Sequence, residues 1–274
     1  MRHLTRRNAL TGTIAAAMVG AAALPRAAHA QAVSDDPVAD FSALLTLYVS
    51  EHADGVNRVN YAGWKASASN MDRLNGAIAA LAGMAPSRMP RAEAIAYWAN
   101  LYNAITLRVV LGRYPVASIR DIRSEGVLLD PQAYLGPWRS KRVTVERRRY
   151  SLDDIEHQTL RPLARDARVH YSVNCASIGC PNIQRTAWRA ETLEQDLDRA
   201  ARAFVNHPRA VTVLADGTLR VSSIYEWFKE DFGGTDAGVI AHLRRYALPA
   251  LTQRMRSATR ISANAYDWAL NASS

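Results

Sequence analysis

Cys175 and Cys180 are the only cysteines in the chain, separated by four residues in the stretch HYSVNCASIGCPN, with His170 five positions before the first. These residue types support three chemistries. The two sulfurs can close a small loop as a disulfide, at the lower end of the usual ~2–4 kcal/mol because a short loop restricts the unfolded chain little. One sulfur can serve as a nucleophile, which needs a base or cation to make the thiolate and amides to hold an oxyanion. Both can join His157 and His170 around zinc, although C-x4-C without a second close pair is a weak zinc signature.

In the nucleophile reading Cys175 attacks, and Cys180 is its substitute or redox partner. His170 or His157 is the base, and Asn100, Asn103 and Asn174 orient the histidine or donate to an oxyanion, as an asparagine does in papain-like triads. The small residues Ala176, Ser177 and Gly179 would leave backbone N–H groups accessible after Cys175. Pro181 at a helix start would place Cys180 near a helix N-terminus. His157 also fits a surface-paired histidine, with Asp153 and Asp154 behind it and Arg161 ahead. His52, His207 and His242 fall near helix ends or on polar faces.

The elements that must position these residues follow from periodicity. Helices are expected over Pro37 to Glu51, over Met71 to Leu81, and from Pro90 to about Gly112. The third is apolar almost all round from Ala94 to Leu111, which marks a helix buried on most sides. Asn100, Asn103 and Thr106 recur at i, i+3, i+6 and form one narrow stripe, facing either structural backbone groups or a polar site. KRVTVERRRY reads as a strand and a tight turn, and Ser151 with Asp154 as a capping box opening a helix that carries His157. RVHYSVN reads as a strand, with His170, Ser172 and Asn174 on one face and Tyr171, Val173 and Cys175 on the other. His170 then reaches a sulfur only if the chain bends after Asn174. Thr192 to Gln195 forms another capping box for a helix to about Asn206. AVTVLADGTLRVS is a hairpin turning at Asp216-Gly217. Helices at Ile224 to Asp231 and Asp236 to Arg256, interrupted by Pro249, precede a short strand near Arg260 to Ala263. The pattern predicts an α+β single domain over 31–274, with a helix-rich part (31–113) packed on a mainly antiparallel sheet within a mixed part (114–274).

Residues 1–30 are expected to be an export leader: paired arginines in TRRNAL, an uncharged Ala- and Gly-rich run, and AHA before Gln31. The twin arginines point to the route that moves folded proteins. Four of the 34 Lys and Arg and no acid fall in this leader, so the formal +9 of the chain drops to +5 for the remainder. That mild excess, with one dense run at Arg147 to Arg149, does not make a nucleic-acid surface. No later apolar run reaches the about 18 residues of a membrane span. The expectation is a soluble periplasmic protein whose partner is an envelope small molecule, peptide or polymer, with no cofactor and no resident metal. Nucleotide, zincin, serine-hydrolase and calcium-loop motifs are missing from the sequence.

YWANLYNAITLRVVL (Tyr97 to Leu111), SLDDIEHQTLRP (Ser151 to Pro162) and RVHYSVNCASIGCPNI (Arg168 to Ile183) resemble the domain-of-unknown-function family 547. VNYAGWKA, VSSIYEWFKEDFG and YDWALN fit its start and its later part. The resemblance implies that the Asn100/Asn103 helix, His157, His170 and both cysteines belong to family motifs and converge on a common site. The broad pattern is similar, by analogy, to papain- and transglutaminase-like hydrolases, except that there the cysteine starts the buried helix and here that helix carries asparagines. The function expected is a cysteine-dependent hydrolase or acyltransferase on amide or ester bonds of an envelope substrate. The alternatives are a non-catalytic envelope binding module with a Cys175–Cys180 disulfide, and a zinc site.

Overall fold

The structure, a computed structural model, describes residues 36–123 and 136–273; the proposed leader lies outside them. Helix α1 (Pro37–Tyr48) starts with Asp36 accepting the Val38 N–H and Pro37 in the first turn. A two-residue ladder, β1 (Val49–Ser50) on β2 (Arg58–Val59), leads into α2 (Tyr61–Ala66) and α3 (Ala68–Ala82). Helix α4 (Arg91–Arg113) is the central post: every residue from Ala94 to Leu111 is buried except Arg108. An all-round apolar helix has no solvent face to offer, so α2, α3 and the later elements close around it. Trp64, Tyr61 and Tyr102 are among the largest side chains fully withdrawn from water in this core.

The remainder is α+β with small sheets. The hairpin β3 (Val143–Val145) and β4 (Arg148–Tyr150) turns through Glu146 and Arg147, both at positive φ, the backbone a two-residue hairpin demands. Arg148 and Arg149 therefore lie in β4, after the turn. Ser151 and Asp154 exchange hydrogen bonds as the expected capping box, Ser151 N–H to Asp154 Oδ2 at 2.7 Å and Asp154 N–H to Ser151 Oγ at 3.1 Å. The helix they open is a π-helix over Asp154–Leu160 that continues as α5 (Arg161–Ala164). After α6 (Leu193–Val205), β5 (Val211–Val213) and β6 (Leu219–Ser222) pair antiparallel as the predicted hairpin, and β7 (Ile261–Ala265) joins β6 in parallel. Helices α7 (Ile224–Trp227), α8 (Asp236–Tyr246) and α9 (Pro249–Arg254) lie between β6 and β7.

Three local expectations fail for physical reasons. RVHYSVN is not a strand: Ala167–Tyr171 is a 3-10 turn, with the Asp166 side chain accepting the Arg168 N–H. Arg168 binds Asp166, Glu194 and Asp198 together, and Val169, His170 and Tyr171 are buried in succession, which the two-sided alternation of a strand cannot supply. Thr192 does not cap α6, because its hydroxyl donates to Asp196 at 2.6 Å. No helix begins at Pro181.

Candidate active site

Asn174 to Pro181 forms a tight loop fastened on two sides. On one side Asn103 of α4 donates to the Ser172 carbonyl at 2.8 Å and accepts the Asn174 N–H at 2.9 Å. On the other, residues 266–271 run past the loop as a strap, with the Ile178 N–H donating to Ala269 O and the Gly179 N–H to Asp267 O, both at 2.8 Å. The bend after Cys175 is made by Ala176, which sits in the left-handed region at φ +61°. Gly179 is needed for space: a Cβ there would meet Asp267 N at 2.8 Å and Asp267 O at 2.9 Å. Both contacts are backbone atoms, which cannot swing away.

This clamp brings two free thiols together. Cys180 Sγ accepts the Cys175 N–H at 3.0 Å and the Tyr266 hydroxyl at 2.9 Å. The same hydroxyl is 2.9 Å from Cys175 Sγ and 2.8 Å from Ser177 Oγ, which itself is 3.3 Å from Cys175 Sγ. Burial pushes the Cys180 thiol up, but hydrogen bonds from the Cys175 thiol, Tyr266, the Cys175 N–H and Ser177 outweigh it and bring it down to about 7. Cys175 is pushed well above the ordinary range, first by its hydrogen bond to Cys180 and then by burial. The pair thus parts easily with one proton and holds the second. Arg209 brackets Cys180 from behind, donating to Ile178 O at 3.3 Å and Asn182 Oδ1 at 2.7 Å. Burial lowers its own acidity constant to about 10, while the nearby Cys180 and Tyr266 charges favour its cationic form.

Both sulfurs, His157 and His170 line one cleft of about 550 Å³, within the size range of small-molecule sites. His170 donates Nε2–H to Asp231 Oδ2 at 2.7 Å and stacks on Phe228 with ring centres 4.2 Å apart. Asp231 is held well below the usual carboxylate range, first by His170 and then by Arg161, whose Nε is 2.6 Å away. His157 stands on the π turn, 3.3 Å from Arg161 and 3.6 Å from Asp153, half-exposed at the cleft edge. A π turn of this kind frequently marks a functional site, since it rotates side chains out of α register. Part of the lining is aromatic. Tyr266 and Trp268 have ring centres 4.6 Å apart, Trp227 lies 4.9 Å from Tyr266, and Trp138 lies 5.8 Å from Trp268.

The asparagines do other work. Asn100 holds Trp188 by both its carbonyl and its N–H at 2.9 Å, and Asn103 holds the Ser172–Asn174 backbone. Asn174 donates to Pro181 O at 2.7 Å and accepts the Ala176 N–H at 2.8 Å, so it shapes the loop from within. All three clasp backbone groups, whereas Thr106, the third member of the stripe, has a buried hydroxyl with no hydrogen-bond partner among the described residues. The N–H groups of Cys175, Ala176, Ile178, Gly179 and Cys180 are all engaged, so of the amides foreseen for an oxyanion those of Ala176 and Gly179 are not open. The donors that lower Cys180 are side chains and one amide, with no helix terminus involved. His242, expected on a polar face, is half-buried and hydrogen-bonds Tyr171 Oη at 2.7 Å.

Asp231 and Tyr266 were not singled out from sequence, although both lie in blocks noted for family resemblance. Nothing local identifies them: each meets its partner only through the tertiary fold. Among the described residues no group of three or more His, Cys, Asp or Glu could hold a metal ion. The zinc reading therefore finds no ligand set, with His170 tied to Asp231 and the sulfurs to Tyr266. No helix among the described residues is long and apolar enough to cross a membrane.

A comparison with curated proteins and another with solved structures returned no match. Residues 86–205 match the family described as protein of unknown function, DUF547, a match that takes in α4, the π turn, the sulfur loop and α6.

Proposed function

We propose that the protein is a cysteine-dependent hydrolase or acyltransferase acting on amide or ester bonds, with Cys175 as nucleophile. The observation that carries this reading is the shared cleft: a half-buried thiol next to an acidic one, opening on the same hollow as the His170–Asp231 pair. Acyl transfer to sulfur requires a thiolate, and the sulfur pair gives up its first proton, that of Cys180, near neutral pH. The leader-like residues 1–30 support a substrate in the cell envelope. Incubation with p-nitrophenyl acetate tests the reading by mass mapping. Addition of one acetyl group at Cys175 is expected, and the reading fails if neither cysteine of the folded protein takes up acetyl.

The aromatic wall favours a second reading. Trp227 is 49 % exposed within it, and ringed clefts bind ligands by area without any chemistry. In that case the protein is an envelope binding module whose cysteines close as a structural disulfide. Intact mass would then rise by one pair of hydrogens on reduction, and acetyl transfer would not occur.

A further inference from the structure

A nucleophilic thiol needs something to take its proton, and the histidines of the cleft are the obvious choice. The structure does not connect them. His170 Nε2 is committed to Asp231, and His157 lies between Arg161 and Asp153. Among the described residues no imidazole hydrogen-bonds either sulfur. The groups that do are Tyr266, Ser177, the Cys175 amide and the other sulfur. Cys180 is only 4 % exposed and, besides the Cys175 thiol, receives the Cys175 N–H, Tyr266 and Ser177, an arrangement that suits an anion far better than a thiol. Cys175 is more open to solvent and faces the cleft.

We infer that Cys180, and neither histidine, is the proton acceptor for Cys175, so that the two sulfurs work as one acid–base pair with Tyr266 and Ser177 holding the charge. The inference deepens the reading of Cys175 as a nucleophile and rests on it for the acyl steps alone. In those steps Cys175 Sγ bonds to the acyl carbon, the carbonyl electron pair moves to oxygen, and the Cys175 proton passes to Cys180 Sγ. On collapse the carbon–nitrogen or carbon–oxygen bond breaks and the leaving group takes that proton from Cys180. Water then attacks the thioester, gives one proton to Cys180, and leaves as part of the carboxylic acid while the Cys175 thiol is restored by that proton.

Other titratable groups face the pair and must be kept in view. Tyr61, Tyr102 and Tyr266 are all held neutral well above neutral pH, chiefly by burial, and Arg209 is the buried cation behind Cys180. Asp153, Glu156, His157 and His170, with Arg120 and Arg139, also line the cleft.

Alkylation by iodoacetamide, followed against pH and mapped by peptide mass, decides the matter without any substrate. The wild type should label at Cys175 near neutral pH. In Cys180→Ser the labelling of Cys175 should lose the step near neutral pH that follows Cys180 and rise instead with a single ionisation of Cys175 alone. His170→Asn and His157→Asn should label within about twofold of the wild type. Tyr266→Phe, which keeps the ring and removes the hydroxyl, should shift the profile to higher pH. An unchanged profile in Cys180→Ser, or an equal loss in His170→Asn, overturns the inference. If Cys180→Ser does not fold, the ultraviolet thiolate absorbance of the wild type decides. One sulfur ionising near neutral pH and the other far above supports the pair, and two ionising together overturns it. A protein that labels in this way yet never accepts an acyl group keeps the sulfur pair and loses the hydrolase reading.

Discussion

His170 and Asp231, 61 positions apart in sequence, meet at 2.7 Å between Nε2 and Oδ2, with Arg161 on the same carboxylate oxygen. The carboxylate is thus the hinge between the 3-10 turn, the π segment and the short turn Lys229–Phe232. Asp231→Asn should lower stability by about 1–3 kcal/mol at neutral pH, the cost of leaving buried donors without their charged partner. Because the folded carboxyl is more acidic than its ordinary 3.8, its contribution is complete above that value and is lost as pH falls below it. Denaturant midpoints of wild type and variant should therefore converge in acid. A gap that persists there would show that the pair contributes nothing through its charge.

Gly179→Ala tests the strap. Its Cβ would press on both backbone atoms of Asp267, so a loss of about 1–3 kcal/mol is expected. Displacing the strap also withdraws Tyr266, so iodoacetamide labelling should move to higher pH. A variant that melts and labels like the wild type would show that the loop and strap do not need this close approach.

Asn103→Ala separates a clasp from a catalytic amide. It leaves the Ser172 carbonyl and Asn174 N–H unpaired in the core, at a cost of about 2–4 kcal/mol. Chemical denaturation should show that loss. Full stability with acetyl transfer abolished would restore Asn103 to a direct role.

The half-buried His242 should make the fold sensitive to mild acid. Burial brings its acidity constant down from 6.5 to about 4, so the unfolded chain takes up a proton in this interval and the folded one does not. Stability is therefore greatest above 6.5, falls as pH drops towards 4, and levels off below. The full drop is about 3 kcal/mol. His242→Gln, which can still face Tyr171, should flatten the slope between these limits. An unaltered slope would assign it to another group.

Much of the scaffold was legible because its signals are local. The all-round apolar face of α4, the Ser151/Asp154 capping box and the Asp216-Gly217 hairpin each specify their own element. The convergence of both cysteines with His157 and His170 came from family resemblance, and the structure places all four on one cleft. Residues 167–171 misled because Val169, Tyr171 and Val173 alternate with polar neighbours as a strand would. The cluster of acids around Arg168, drawn partly from α6, overrides that pattern. The Tyr266 and Asp231 contacts were unreadable because no spacing rule spans such separations.

The strap has a consequence for timing. Tyr266 lies 91 positions from Cys175 and 86 from Cys180, so the loop is synthesised long before the hydroxyl that organises it. Until residues 266–271 dock, the two cysteines remain ordinary thiols with no special claim on a passing electrophile or oxidant. If the sulfurs act as the proposed pair, a chain cut short of Tyr266 would lack the hydroxyl that holds their charge.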